Sequence, residues 1–290
     1  MNKTPSGLAL DRRRFLVGVA GVCCSYPWVL DAGADPQKRA PTALTEFTDI
    51  LAQFHRDPTL ATTSRDANEM SDAFRVGLER APIRSPKSTT ELSARASDLI
   101  VYCEITNELT YKSKYEKPSW PGGNSGVTIG IGYDLGYTTP FDLKADWGAY
   151  IDNQTLNSLS EACGLTGSGA GDFLAQLSAI RIDWKTALSQ YAHETLPRCV
   201  GATESALTNT KSLSPDSLGA LVSLVYNRGA SFRLPGSHYE EMRNIKTHMD
   251  GREFNKIPAE LQSMKRLWPD SKGLVLRREA EAALFQLGLS

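Results

Sequence analysis

The sequence has little of the features that mark several specialised protein classes. It holds 5 cysteines in 290 residues and no paired C-x-x-C spacing, which excludes a disulfide-framework miniprotein and a zinc module of that type. It has no excess of either charge, since 32 Lys and Arg face 33 Asp and Glu. A nucleic-acid binder that works by bulk charge is therefore excluded. The 41% of hydrophobic residues suffices for a sizeable core and excludes wholesale disorder.

The first 34 residues have the features of an export signal. Arg12 to Leu16 read R-R-x-F-L, and an apolar stretch continues to Leu30. This stretch is shorter than the ~20 residues that a membrane-spanning helix needs. Ala32-Gly33-Ala34 then matches an A-x-A cleavage site. We therefore expect a twin-arginine-type signal peptide over residues 1–34 and a periplasmic or secreted mature chain. The alternative, a basic cap on a buried helix, does not account for the order of these three features.

The expected mature chain is slightly acidic. Removal of residues 1–34 takes away four basic and two acidic residues, which leaves 28 against 31 and a net charge of −3. Cys103, Cys163 and Cys199 remain, and an odd number means that at least one is reduced or pairs with another chain. A Cys163–Cys199 disulfide stays open.

The mature sequence divides into a front part and a longer body. Residues 35–92 are expected to be a helical extension and a linker of unknown purpose. Helical spacing of apolar residues predicts one helix from Thr42 to Phe54 and a second, shorter one around Met70, Phe74 and Leu78. The stretch from Pro82 to Thr90 is rich in Pro, Ser and Thr, as in linkers.

The body, residues 93–290, opens with a helix and then changes character. An apolar stripe from Leu92 to Cys103 predicts a helix from about Glu91 whose last turn carries Glu104. The segment from Gly126 to Leu135 reads as a strand after a turn-forming run, which predicts a β-hairpin or small sheet. Thr139 as N-cap, with Pro140 as the first helical residue, predicts a helix start. Beyond it the pattern is helical to the end.

The junction between helix and hairpin brings together side chains suited to glycoside cleavage. If the hairpin folds back on the helix, Glu104, Thr128 and Asp134 meet across one cleft. Glycoside cleavage uses two carboxyl groups, one protonated to donate to the leaving oxygen and one ionised. Apolar neighbours such as Leu99 and Ile105 make Glu104 the better proton donor. A glutamate near a helix end is more often a solvated surface residue, so position alone does not decide its role.

Three ordered blocks make the body similar to a known family. GVTIGIGYDLGY (126–137), LGALVSLVYNRGASF (218–232) and GLVLRREAEAALF (273–285) resemble the hairpin, the internal helix and the C-terminal helix of phage-type lysozymes. These are glycoside hydrolases of family 24, and the related pesticin-like muramidases share the pattern. The resemblance implies an α+β, mainly α, lysozyme-like fold with a small β-hairpin lobe and a larger helical lobe. It makes residues 93–290 the expected catalytic domain.

The resemblance also implies roles for individual residues. Glu104 matches the general acid, and Thr128 matches the threonine that orients the attacking water. The phage pattern places its catalytic Asp before that threonine, but no Asp lies between Glu104 and Thr128. Asp134 is therefore assigned the role of the second carboxylate. An Asp placed after the strand is more similar to the pesticin-like branch. Glu108 and Glu116 are the fallback candidates.

The implied substrate is the β-1,4 bond between N-acetylmuramic acid and N-acetylglucosamine in peptidoglycan, cleaved with inversion. Tyr133, Asn227 and Arg228 are the expected substrate-binding residues, although a structural role for Asn227 and Arg228 stays open. The mechanism that the resemblance implies needs neither a metal nor an organic cofactor. The four histidines show no H-E-x-x-H or paired spacing, which argues against a zinc site. We expect a monomer that binds no nucleic acid, and an immunity or inhibitor protein stays open as a partner.

Three other functions stay open. A lytic transglycosylase has the same fold and one glutamate, and it leaves an anhydro-muramic end. A non-catalytic wall-binding module would bind peptidoglycan without cleaving it. An antibacterial toxin would use the same chemistry in rival cells, with residues 35–92 as a delivery segment, and the export signal argues mildly against it.

Overall fold

A computed structural model describes residues 42–63 and 85–289. The predicted signal peptide and the predicted short helix around Met70, Phe74 and Leu78 lie outside the described residues. These described residues belong to one compact unit. The predicted domain boundary near residue 92 stays a prediction.

The described chain is mainly helical and carries one small antiparallel sheet. Its α-helices are α1 Ala43–Arg56, α2 Thr59–Thr63, α3 Ala94–Ile105, α4 Glu108–Thr110, α5 Pro140–Trp147, α6 Asn153–Ser160, α7 Ser168–Phe173, α8 Trp184–Gln190, α9 Leu196–Ala206, α10 Pro215–Arg228, α11 Glu240–Gly251, α12 Ile257–Ser263 and α13 Lys272–Leu287. The strands are β1 Thr128–Ile129 and β2 Tyr133–Asp134. Short 3-10 and π turns cover Tyr111–Tyr115, Leu135–Tyr137, Leu174–Leu177, Tyr191–Thr195, Thr210–Ser212, Ser237–Tyr239, Phe254–Lys256 and Met264–Leu267.

The predicted helix starts rest on side-chain caps. The Thr139 side chain accepts a hydrogen bond from the Asp142 N–H and Pro140 opens α5, as predicted. Ser93 caps α3 in the same way, so this helix begins at Ala94 rather than at Glu91. The predicted helix from Thr42 to Phe54 is confirmed by α1, which Thr42 caps.

The predicted strand from Gly126 to Leu135 is wrong in its details, because this segment is itself the hairpin. Thr128 pairs with Asp134 and Ile129 with Tyr133. Between them Gly130 and Gly132 take φ of 56° and 71°, values that residues with a Cβ rarely adopt. The chain therefore reverses within the segment, and Asp134 lies opposite Thr128 instead of farther along the same strand.

Two clusters of buried side chains form the core. One joins α1, α3, α10 and α13, and the other joins α3, the hairpin and the helices from α5 to α10. Helix α3 contributes Leu99 and Cys103 to the first cluster and Ile100 and Ile105 to the second. Since α3 carries Glu104, both clusters fix the end of this helix.

The predicted linker lies against α9 where the structure describes it. Ser88 N donates to the Pro197 carbonyl at 2.9 Å, and Thr90 Oγ1 donates to Glu204 at 2.6 Å. A Cβ on Gly201 would lie 2.0 Å from the Pro86 carbonyl oxygen. The segment therefore packs directly against the backbone of α9 at Gly201. Over residues 42–63 and 85–289, no helix has both the length and the apolar character needed to cross a bilayer.

Candidate functional site

Glu104 lies in the last turn of α3 and is buried, with 4% of its surface exposed. The helix ends here because the next residues leave helical geometry. The structure thus confirms that a helix carries Glu104 in its last turn. Most glutamates near a helix end are exposed to solvent, but Glu104 is not. Burial of a carboxyl group is costly unless a partner compensates it.

Arg277 of α13 is that partner. Its Nη1 donates to Glu104 Oε1 at 2.8 Å, and both side chains are buried. The same guanidinium donates to the Ser223 carbonyl at 3.1 Å and lies 3.4 Å from Glu281 Oε1. Glu281 also accepts from Ser223 Oγ at 2.7 Å and from Arg278 Nη2 at 2.8 Å. One buried network therefore joins Glu104 to α10 and α13.

Burial and neighbouring charges shift the pKa values of this network in different directions. Burial lowers the pKa of Arg278 to about 10, partly offset by Glu281. Burial works against the charge of Arg277 as well, but negative charge around it, including that of Glu104 and Glu281, raises its pKa above its ordinary value. Burial raises the pKa of the Cys103 thiol to about 12. Arg277 therefore faces Glu104 as a cation while Cys103 beside it stays a neutral thiol.

The turn that follows Glu104 is strained. Thr106 has φ 67° and ψ −67°, and the Asn107 N–H donates to the Ile105 carbonyl at 2.8 Å. This is a γ-turn with positive φ, which is rare and unfavourable for a β-branched residue. Strain of this kind costs about 1–3 kcal/mol. Thr106 Oγ1 is also buried and has no hydrogen-bond partner in the structure.

The hairpin turn lies directly against Glu104. A Cβ on Gly132 would lie 2.9 Å from Glu104 Oε2 and 3.4 Å from the Tyr226 ring. The Tyr226 hydroxyl donates to the Ile131 carbonyl, which ties the turn to α10. A Cβ on Gly130 would likewise lie 2.7 Å from the Trp147 ring. Glycine at 132 is thus required both by its φ and by the carboxyl group of Glu104.

Asp134 and Thr128 occupy paired positions on the two strands. Asp134 Oδ1 accepts from the Gly126 N–H at 3.0 Å and from the Gly136 N–H at 2.8 Å. These bonds cap the short 3-10 turn Leu135–Tyr137 and hold the Asp134 carboxylate against the backbone. Thr128 is buried on the opposite strand. The hairpin therefore links all three predicted catalytic residues, since its turn contacts Glu104 and its strands carry the other two.

The two fallback carboxylates lie elsewhere in the same segment. Glu108 is exposed and pairs with Lys112 one turn further along the chain, at 2.7 Å. Glu116 is half-buried, and its backbone carbonyl accepts from the Ile182 N–H at 2.8 Å. Neither has a buried cation such as the one that holds Glu104.

Of the predicted sugar-binding residues, Tyr133 is half-buried. Its hydroxyl donates to Asp146 at 2.9 Å, and its ring meets Trp147 edge-on with centroids 5.7 Å apart. Arg198 also donates to Asp146, at 2.9 Å. These contacts use the hydroxyl for the fold, and stacking of the ring on a sugar stays a prediction.

Asn227 and Arg228 point into the protein. Asn227 Oδ1 accepts from Arg278 Nη2 at 3.1 Å, and only 5% of the residue is exposed. Arg228 is wholly buried, donates to the His238 carbonyl at 2.9 Å and stacks 5.0 Å from the Trp268 ring centroid. A guanidinium sealed from solvent has no access to a glycan. The structure thus favours the structural role that the sequence left open, and we correct the substrate-binding assignment of Arg228.

Sequence reasoning missed the partner of Glu104. Spacings of three and four residues place Arg277, Arg278 and Glu281 on one face of a helix, where ion pairs are usually solvent-exposed. The ion pairs exist, but all three side chains are wholly buried. The signal was present in the sequence, because these charges interrupt an otherwise apolar helix. Thr106 gave no such signal.

Within the described ranges, no group of three or more His, Cys, Asp and Glu residues could hold a metal ion. A cavity of about 350 Å³ lies between α1, α12 and α13, and it is lined by Ala43, Glu46, Pro258, Ala259, Gln262, Ala282, Ala283 and Gln286. None of the predicted site residues lines it.

Comparison with known proteins adds one partial match. A family described as a domain of unknown function (DUF8812) matches residues 104–197. The matched segment includes Glu104, Thr128 and Asp134, covers less than half of the chain and carries no assigned activity. No curated protein matches the chain.

Proposed function

We propose that the chain is a peptidoglycan hydrolase with a lysozyme-like fold that cleaves the β-1,4 bond between N-acetylmuramic acid and N-acetylglucosamine. In this proposal Glu104 is the general acid, Thr128 orients the attacking water and Asp134 is the second carboxylate. An exported enzyme with a mature net charge of −3 would bind the wall through hydrogen bonds and stacking rather than through long-range attraction.

The observation that carries the proposal is the setting of Glu104. A carboxyl group that is only 4% exposed is held by a buried arginine, and a hairpin glycine lies against its second oxygen. A residue with only a surface role needs neither the buried partner nor the bare backbone beside it. The lysozyme-like fold is supported by the order of elements: a helix that carries Glu104 in its last turn, the hairpin, and then helices of which α10 and α13 pack together.

A lytic transglycosylase is the second candidate, because of one observation. The Asp134 carboxylate accepts two backbone N–H groups, which leaves it less able to activate a water molecule. A transglycosylase uses one glutamate and no water. The two functions differ in their products, since the hydrolase product is heavier by one water.

Wall digestion by the mature chain tests the proposal. Glu104→Gln keeps a hydrogen-bond acceptor for Arg277 but removes the proton donor, so we expect the rate to fall by about 10²–10⁴-fold. Asp134→Asn is measured beside it, with product masses recorded. Hydrated ends that require both carboxylates support the hydrolase, and anhydro ends that require Glu104 alone support the transglycosylase.

Glu161→Gln is the matched control, because Glu161 is exposed at the end of α6. Its rate should equal that of the wild-type chain. Equal rates for wild type, Glu104→Gln and Asp134→Asn would contradict the assignment of both roles. Wall binding without any digestion by the native chain would instead indicate a non-catalytic module.

A further inference from the structure

The strap, residues 85–90, is the described part of the predicted linker, and it contacts one charged pair at the start of α9. Arg198 Nη1 donates to the Ser85 carbonyl at 3.3 Å. Lys87 forms an ion pair with Glu194, which lies four residues before Arg198. The strap therefore contacts both Glu194 and Arg198, one through a charged side chain and the other through its backbone.

Arg198 lies between two carboxylates. Its Nε donates to Asp146 Oδ1 at 2.9 Å, while its Nη2 lies 3.8 Å from Glu194. Asp146 is buried, so its charge needs a cation nearby. Glu194 is the competing acceptor, and the ion pair with Lys87 offsets its charge. The strap thus favours the closer contact of Arg198 with Asp146.

The second oxygen of Asp146 holds the hairpin. The Tyr133 hydroxyl donates to Asp146 Oδ2 at 2.9 Å, so the two oxygens of one carboxylate bind α9 and β2. Tyr133 directly precedes Asp134 on β2. A continuous chain of contacts therefore runs from the strap through α9 and α5 to the strand that carries Asp134.

This chain of contacts fixes the direction of the Tyr133 ring. The residue is half-buried, and Trp147 meets its ring edge-on. The bond to Asp146 holds the far end of the same ring, so its orientation is set before any ligand binds. A side chain that is already ordered loses less conformational entropy on binding. The contacts of Asp146 thus prepare the exposed part of the ring for a ligand.

We propose that Arg198 is a positioning residue of the glycan site. Held by the strap, it orients Asp146, and Asp146 orients the Tyr133 ring for the bound glycan. This inference rests on the proposed muramidase function, with Tyr133 as a sugar-binding residue. It gives the predicted linker a part in substrate binding. A ring that stacks on a sugar contacts the substrate and the transition state alike, so loss of its orientation raises KM and leaves kcat nearly unchanged.

Arg198→Gln and Tyr133→Phe interrupt the chain of contacts at two different points, and kinetics with soluble wall fragments test the inference. We expect each variant to raise KM by about 3- to 10-fold, with kcat within about twofold of wild type. Because both changes act on one ring, the double variant should have the KM of a single variant rather than the product of the two effects. Lys87→Met frees Glu194 to compete for Arg198, so we expect a smaller rise in KM of about 2- to 3-fold.

Thr90→Val is the control, because Thr90 is exposed and joins the same strap to the same helix through Glu204. Its KM should equal that of wild type. Wild-type KM in Arg198→Gln, or effects that multiply in the double variant, overturns the inference and leaves the proposed function intact. A lower kcat at wild-type KM also overturns it, since Arg198 would then support the catalytic residues instead of the ring.

Circular dichroism establishes that each variant is folded at the assay temperature. If Arg198→Gln does not fold, Tyr133→Phe and Lys87→Met decide, and wild-type KM in both overturns the inference. A native chain that digests no wall fragment overturns the proposed function, and this inference with it.

Discussion

At the scale of single residues, Glu281 holds two buried arginines in place. Its Oε1 is the shared acceptor of Ser223 and Arg278 and lies within 3.4 Å of Arg277. Arg277 in turn donates to Glu104. The candidate general acid is therefore fixed through a carboxylate that does not touch it.

We predict that Glu281→Gln lowers the free energy of unfolding by about 3–5 kcal/mol, because two buried cations lose their shared counter-ion. Urea titration of wild type and variant measures this loss. Glu279→Gln on the same helix is the control: its 2.8 Å pair with Lys265 is partly exposed and should contribute at most about 1 kcal/mol. Similar losses in both variants would show that the network does not act as a buried unit.

The sequence predicts one end of this network and not the other. Glu104 follows from local periodicity, because the apolar stripe of α3 marks where the helix ends. Arg277 lies 173 residues away, and charges at a spacing of three and four on a helix normally face solvent. Which face of α13 is buried depends on α1 and α10 packing against it, and that information is not local.

At the scale of elements, local chemistry predicts helix starts better than strands. Thr139 and Pro140 specify the start of α5 through their own bonding and dihedral limits, so that prediction is confirmed. The Ile–Gly alternation from Val127 to Gly132 fits both a strand and a turn. The turn forms because the glycines take positive φ, and the contacts with Trp147 and Glu104 that require them come from distant elements.

The hairpin turn gives a prediction at this scale. Gly132→Ala should cost about 1–3 kcal/mol more than Gly122→Ala, because both need positive φ but only the first places a Cβ against Glu104. A Cβ on Gly122 meets no atom within 4 Å. Of the two variants, we expect only Gly132→Ala to slow wall digestion, because its Cβ displaces the carboxyl group of Glu104. Thermal unfolding and digestion rates of the two variants check this, and equal behaviour would contradict the close contact.

At the scale of the whole molecule, the predicted extension contributes to the core. Helix α1 packs along α13, the helix that carries Arg277. Phe47, Ile50 and Phe54 belong to the same buried cluster as the side chains of α10 and α13. The sequence predicts α1 itself from its amphipathic spacing, but not where its apolar face docks, because any apolar surface satisfies that pattern.

We predict that Phe54→Ala lowers the stability of the whole chain, since Phe54 is wholly buried in this cluster. The expected loss is about 3–5 kcal/mol, and it should shift one cooperative transition seen by both circular dichroism and tryptophan fluorescence. Leu44→Ala is the control on the same helix, because Leu44 is 48% exposed and should change stability by at most about 0.5 kcal/mol. A separate early transition for α1, with the main one unmoved, would show that α1 is an appendage. A coincident shift would mean that any truncation at residue 92 removes part of the support behind Arg277, and hence behind Glu104.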